Sequence, residues 1–183
     1  MSEKNLVETL IKSEEMYKGA LLHIYRDDVQ LPNGNTSIRE YNTHYGAVCI
    51  IPLTDDGEVI LERQFRYPIH EVITEIPAGK LDSPDEDPLS AAKRELREET
   101  GYTANTWISL GMFMGAAAYS DEKIHMYLAK DLVKGERELD EDEFLDVFKM
   151  PLTEAVSEVM KGNIADGKTI AAVLKVNEIM KNS

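Results

Sequence analysis

Glu95 and Glu99 stand four residues apart in the run Lys93-Arg94-Glu95-Leu96-Arg97-Glu98-Glu99-Thr100-Gly101. On a helix that spacing places both carboxylates on one face, one above the other. Like charges so arranged oppose helix formation by roughly 0.2–0.5 kcal/mol, and no lysine on that face offsets them. A hard divalent cation would remove the repulsion. Mg²⁺ takes oxygen ligands in octahedral geometry, keeps several waters, and usually shares one or two protein carboxylates with substrate phosphates. The pair therefore points to a metal-assisted reaction on a phosphate-bearing substrate. The competing reading, a solvated acidic helix, leaves the repulsion unanswered. Arg94 and Glu98 form a neighbouring pair of opposite charge.

The helix that must position these groups is predicted over residues 88 to 100. Asp87 suits the N-cap, Pro88 the first helical position, and Gly101 the left-handed residue that ends a helix. Its length would be about 20 Å, with Leu89, Ala92 and Leu96 forming the stripe that packs on a core. Around it, segments 20–30 and 36–43 flank Pro32-Asn33-Gly34-Asn35 as one hairpin, and apolar runs 46–53 and 58–65 flank Asp55-Asp56-Gly57 as another. Further strands are expected at 72–76, 107–114, 123–129 and 143–149, and helices at 153–161 and 168–180. Residues 1–16, with Leu6, Leu10 and Ile11, predict a short amphipathic helix or a loosely held arm. Strands gathered about one central helix, with helices at the end, read as α+β, a sandwich with a mixed sheet.

The chain has 183 residues, 43% of them apolar, enough for one well-buried core. Its single cysteine, Cys49, lies inside an apolar run and reads as a small buried hydrophobe, with no disulfide available within a monomer. A net charge of −14 argues against a nucleic-acid partner, which would require clustered Lys and Arg. The acidic residues concentrate at 82–87, 95–99 and 138–146. No charged-then-apolar leader and no long apolar run is seen, so the expectation is a cytoplasmic protein without a membrane partner.

The run from Gly79 to Tyr102 resembles the signature box of the Nudix hydrolases, with Glu86, Arg94, Glu95, Leu96, Glu98, Glu99 and Gly101 at the box positions. Two departures stand out: six residues instead of five separate Gly79 from Glu86, and Tyr102 replaces the final aliphatic residue. Residues 46–54, 59–68 and 75–81, and the acidic run Asp140-Glu-Asp-Glu143, are similar to the ADP-ribose pyrophosphatase branch, which hydrolyses nucleoside diphosphate sugars. That resemblance implies an α/β/α sandwich of Nudix fold with a loop-helix-loop catalytic element. It implies hydrolysis of a pyrophosphate bond, as in ADP-ribose giving AMP and ribose 5-phosphate, with Mg²⁺ as cofactor and Mn²⁺ able to substitute. Position 117, where the branch usually carries proline, is Ala117 within Gly115-Ala-Ala-Ala-Tyr119-Ser-Asp-Glu122. This implies a broader or different sugar-nucleotide specificity, GDP-mannose included. The alternatives are a nucleotide-sugar sensor that does not cleave, and a Nudix pyrophosphatase of nucleoside triphosphates.

The same resemblance assigns roles residue by residue. Glu95, Glu99 and the Ala78 carbonyl would hold metal, with Glu143 as a further ligand and Glu141 as the base, the last two interchangeable. Glu98 would serve as a ligand or as the partner of Arg94, and Arg94 would orient the box carboxylates. Arg66 is the candidate phosphate clamp, since a guanidinium fork suits phosphate oxygens. Arg39 and Glu40 would grip the nucleobase against Leu21, and Asp121 and Glu122 would touch the terminal sugar. Residues 1–44 would form an arm and an antiparallel hairpin that joins two copies into a homodimer, and 45–183 the hydrolase domain.

Overall fold

Every residue of Ala47-Val-Cys-Ile-Ile-Pro52 is buried, and such a continuous apolar run is what a strand covered on both faces requires. The computed structural model describes residues 5–139 and 144–182. In chain order its elements are β1 (Thr9–Lys18), β2 (His23–Gln30), β3 (Thr36–Thr43), β4 (Ala47–Pro52), β5 (Glu58–Arg66), β6 (Glu71–Glu75), β7 (Ala78–Lys80), α1 (Pro88–Thr100), β8 (Tyr102–Phe113), β9 (Ile124–Lys134), β10 (Leu145–Pro151), α2 (Leu152–Lys161) and α3 (Gly167–Lys181). Main-chain contacts divide the chain into two compact units. One holds the described residues up to His44 together with Ala116–Glu122, and the other holds Tyr45–Gly115 and the described residues from Lys123 onward.

The larger unit is built on a four-stranded sheet in the order β7-β4-β9-β8, mixed because β4 and β9 run parallel while the other pairs are antiparallel. Successive side chains of a strand point to opposite faces, and β4 divides accordingly. Val48 and Ile50 pack with Ala129 against Ala91, Ala92 and Leu96 of α1. Cys49 and Ile51 pack on the other face with Leu128, Val59, Leu61 and the α3 residues Ala172, Val173 and Val176. The sheet thus lies between α1 on one side and α3 on the other, the expected α+β sandwich. A second antiparallel sheet, β10-β5-β6, adjoins the α3 side of this core. The three-residue strand β7 has no counterpart among the expected elements, because so short a segment carries no periodicity to detect.

The smaller unit corrects one expectation. Residues Thr9–Lys18 form neither a helix nor a loose arm but a strand, paired antiparallel with β2 from Thr9↔Gln30 to Lys18↔His23. The hairpin of β2 and β3 is therefore a three-stranded sheet, β1-β2-β3. An edge of β2 with unpaired N–H and C=O groups offers ten residues of main-chain bonding, which outweighs a helical pattern resting on three apolar positions. No helix among the described residues is long and apolar enough to cross a membrane.

α1 runs over the expected residues, with the Asp87 side chain accepting from Ser90 N at 2.9 Å and Gly101 in the left-handed region at φ 75°. Its buried stripe, however, is Ala91, Ala92, Glu95, Leu96, Glu99 and Thr100, whereas Leu89 is only half-buried. Leu96 is fully enclosed between helix and sheet. Leu96→Ala is expected to cost about 2–5 kcal/mol of stability, read from the denaturant midpoint at unchanged slope; a loss below about 1 kcal/mol would show that α1 is not seated on this sheet.

Candidate active site

Both box carboxylates are covered, Glu95 to 8% exposure and Glu99 to 3%, because α1 is pressed onto the end of β7. Ala78 N donates to Glu99 Oε2 at 2.9 Å. Gly79 faces the Glu95 carboxylate so closely that a Cβ built there would overlap its carbon and both oxygens. A side chain at 79 would therefore displace the Glu95 carboxylate from this position. Helix and strand together set the direction of each carboxylate, one by a main-chain donor and the other by a missing methyl group.

Arg94 fastens the surrounding loop to the helix. Its Nη1 donates to Glu95 Oε1 at 2.7 Å and to Glu98 Oε2 at 3.1 Å, and its Nη2 donates to the Lys80 carbonyl at 3.3 Å and lies 3.5 Å from Glu86 Oε1. Burial works against this guanidinium's charge, but Glu95 and Glu98 outweigh it and raise its pKa further above the usual arginine range. Glu86 Oε2 in turn accepts from Asp82 N at 2.6 Å, closing the loop before α1. The extra residue between Gly79 and Glu86 is absorbed in this loop, and the helix register is unaffected.

A second charged group lies where β5, β6 and α3 meet. Arg66 ends β5, and its Nε and Nη2 donate as a fork to Glu75 Oε1 and Oε2 at 2.6 and 2.9 Å. Glu75, 1% exposed, also accepts from Lys168 Nζ, which lies 3.1 Å from Asp166 Oδ2. Burial would push the Glu75 carboxyl up, but Arg66 and Lys168 together hold it below the ordinary glutamate range. Glu62, also 1% exposed, stands opposite Glu75 in the strand register. Glu62, Glu75, Asp166 and Lys168 were not singled out from sequence. The available signal was a glutamate inside each of two apolar strand runs, Ile60-Leu-Glu62 and Ile73-Thr-Glu75-Ile76.

The chain leading to the acidic run at 140–143 is tied to the last turn of α1. Gly135 N donates to the Gly101 carbonyl at 2.7 Å, Glu138 N to the Glu98 carbonyl at 3.2 Å, and Arg97 pairs with Glu138 at 3.4 Å. Glu141 and Glu143, assigned as base and metal ligand, lie outside the described residues.

The remaining assigned residues belong to the smaller unit. Arg39 is engaged by Glu8, by Ser37 Oγ at 3.0 Å and by the Ile38 carbonyl at 2.8 Å. Glu40 lies opposite Arg26 in the register, and Leu21 is exposed between β1 and β2. Asp121 Oδ1 accepts from His44 N at 2.7 Å and Glu122 Oε1 lies 3.7 Å from His44 Nδ1, so segment 116–122 is fastened to the end of β3. Arg39, Glu40, Asp121 and Glu122 are thereby gathered in one unit, while Arg66, Ala78, Arg94, Glu95, Glu98 and Glu99 are gathered in the other.

The donor set suits a hard divalent ion. Two carboxylates are covered side by side at a strand end where Gly79 leaves space, and oxygen is the chemistry such an ion takes. Among the described residues no three His, Cys, Asp or Glu side chains are grouped so as to hold a metal ion by themselves. An ion that keeps waters and shares substrate phosphates requires no such grouping.

The matching family models cover most of the chain: the NUDIX domain matches residues 43–173 and the nucleoside diphosphate sugar hydrolase N-terminal domain matches residues 8–42. The chain belongs to the Nudix family. It is 42% identical over 172 residues to the ADP-ribose pyrophosphatase of Bacillus subtilis (strain 168), covering 93% of this chain and 92% of that one. It is equally 42% identical over 179 residues to the methanol dehydrogenase activator of Bacillus methanolicus, covering 96% of both. A crystal structure of an ADP compounds hydrolase superimposes with a TM-score of 0.85 at 26% identity, over 96% of this chain and 95% of that chain. Divalent metal use is general in this family.

Gly79→Ala is expected to weaken divalent-ion affinity by about 10–100-fold, the range for disturbing groups that orient metal ligands, measured by calorimetric titration with Mn²⁺. Unchanged affinity would mean that Glu95 does not hold the ion.

Proposed function

We propose that this chain hydrolyses nucleoside diphosphate sugars at the pyrophosphate bond with Mg²⁺ as its ion, ADP-ribose and water giving AMP and ribose 5-phosphate. The observation that carries this reading is the pair Glu95 and Glu99, covered and aimed at the end of β7 by Gly79 and Ala78 N. Cleaving a pyrophosphate demands neutralised phosphate oxygens, an activated water and an in-line geometry. When bound, Mg²⁺ supplies charge neutralisation and lowers the pKa of coordinated water. Glu95 and Glu99 would hold it with the Ala78 carbonyl, Glu143 adding a ligand and Glu98 either a ligand or a brace. Arg94 would keep Glu95 and Glu98 in place through the bonds it makes to both.

Arg66 is the phosphate clamp in this reading. Its Nε and Nη2 are committed to Glu75, and Nη1 has no hydrogen-bond partner among the described residues, so a donor remains for a substrate oxygen. Glu141 would accept the proton of the attacking water. Arg39 and Glu40 would meet the base beside Leu21, and Asp121 and Glu122 the terminal sugar. Ala117, in place of the usual proline, supports acceptance of other sugar nucleotides such as GDP-mannose. A cytoplasmic site of action is part of the same proposal.

The active form in this reading is a homodimer joined through the sheet β1-β2-β3. Val29 is the one large apolar side chain of that sheet that is buried, while Leu10, Ile11, Met16, Leu21, Leu22 and Ile38 are exposed. A three-stranded sheet with so thin a core requires further cover, and a second copy supplies the same strands. Sedimentation should give twice the 20.6 kDa chain mass, and the double change Leu10→Glu and Ile11→Glu, which places two charges on exposed apolar positions of β1, should shift the protein to monomer. A monomeric wild type would remove the dimer from this reading.

Activity is tested with ADP-ribose, GDP-mannose and nucleoside triphosphates in Mg²⁺, reading monophosphate release. Glu95→Gln is expected to lower kcat/KM by at least about 10²-fold. No turnover of any compound by wild type would favour a sensor, and preference for triphosphates would reassign the substrate. The relative named as a dehydrogenase activator supports a second reading, stimulation of a dehydrogenase. Adding wild type and Glu95→Gln to a methanol dehydrogenase assay separates the two, since stimulation by both would make hydrolysis incidental.

A further inference from the structure

Lys168, in the first turn of α3, is largely covered, its side chain 12% exposed, and no step of the proposed reaction uses it. Its ammonium donates to Glu75 Oε2, the same oxygen that receives Arg66 Nη2 at 2.9 Å, and it lies 3.1 Å from Asp166 Oδ2. Burial disfavours the charge, but Asp166 and Glu75 outweigh it and raise the pKa, so Lys168 stays protonated. Three carboxyl groups bear on Arg66: Glu75 by direct bonding, and Glu62 and Asp166 by charge. Left alone with them, the guanidinium would be largely neutralised toward any arriving anion. Lys168 is the cation that offsets them.

We propose that Lys168 is a positioning residue for phosphate binding: through the shared Glu75 oxygen it fixes the direction of Arg66 and keeps its charge available to the substrate diphosphate. The proposal rests on the reading of Arg66 as the phosphate clamp. A second set of bonds ties the same turn of α3 to the segment that leads into β7. Asp166 Oδ2 accepts from Thr169 N at 3.0 Å and from Thr169 Oγ1 at 2.6 Å, and Thr169 Oγ1 accepts from Ile76 N at 3.0 Å. Ile76 is two residues before Ala78, whose amide holds Glu99. One buried cap therefore anchors both the partner of Arg66 and the strand end that aims Glu99.

The test compares wild type, Lys168→Met, Lys168→Arg, Arg66→Ala and the Lys168→Met/Arg66→Ala double variant, with ADP-ribose and Mg²⁺. Lys168→Met should raise KM on the order of tenfold while kcat stays within about threefold, the pattern of lost substrate binding. Lys168→Arg should recover KM to within about threefold of wild type, since it keeps the charge. In the Arg66→Ala background Lys168→Met should add less than about twofold, because the two act as one unit. If Arg66→Ala alone leaves KM unchanged, the clamp reading fails and the proposal with it. If Arg66→Ala raises KM but the two changes multiply independently, the role of Lys168 fails and the clamp stands. Thermal unfolding is followed for each variant. Should Lys168→Met not fold, Lys168→Gln keeps a donor without the charge, and an unchanged KM in that variant overturns the proposal. A wild type that turns over neither ADP-ribose nor GDP-mannose overturns both readings.

Discussion

Two carboxylates, Glu95 and Glu99, are held out of water four residues apart on α1, and much of the larger unit serves to make that tolerable. Burying like charges together is costly unless donors or cations answer them. The answers come from three directions: Ala78 N for Glu99, Arg94 for Glu95, and the space left by Gly79. All three depend on α1 being seated on β4 and β7, which the packing of Ala91, Ala92 and Leu96 against Val48 and Ile50 secures. A divalent metal ion would complete the same electrostatic requirement.

The Arg66 group follows the same rule with the signs distributed differently. Glu75 is as deeply covered as Glu99, and both its oxygens accept from the Arg66 guanidinium while one of them also accepts from the Lys168 ammonium. Breaking a buried pair of this kind by removing one member leaves a charge without compensation and is strongly destabilising. The segment from Glu75, the last residue of β6, to Gly79 in β7 thus carries a buried carboxylate at one end and the cradle of Glu95 at the other, five residues in all.

The smaller unit shows what periodicity misses. Its hairpin was legible from Asn33-Gly34 between two alternating runs, because that turn chemistry is local. β1 was not, since its partner is an edge of β2 and pairing is decided by main-chain groups that all sequences share. The fastening of His44 by Asp121 and Glu122 joins residues nearly eighty positions apart, a separation given by the bond itself as 77. No pattern in the chain announces it.

What the sequence by itself determined is the local chemistry: α1 with its Asp87 cap and Gly101 stop, the facing of Glu95 and Glu99, the pairing of Arg94 with Glu98, and the apolar strand at the centre of the core. These follow from helical spacing, capping and burial, which act over a few residues. Only the tertiary structure decided that the two glutamates lie within the buried stripe, that Gly79 faces the Glu95 carboxylate, and that Glu75 is shared by Arg66 and Lys168. Those facts depend on which strand end meets which helix, and long-range packing sets that meeting by filling a common core.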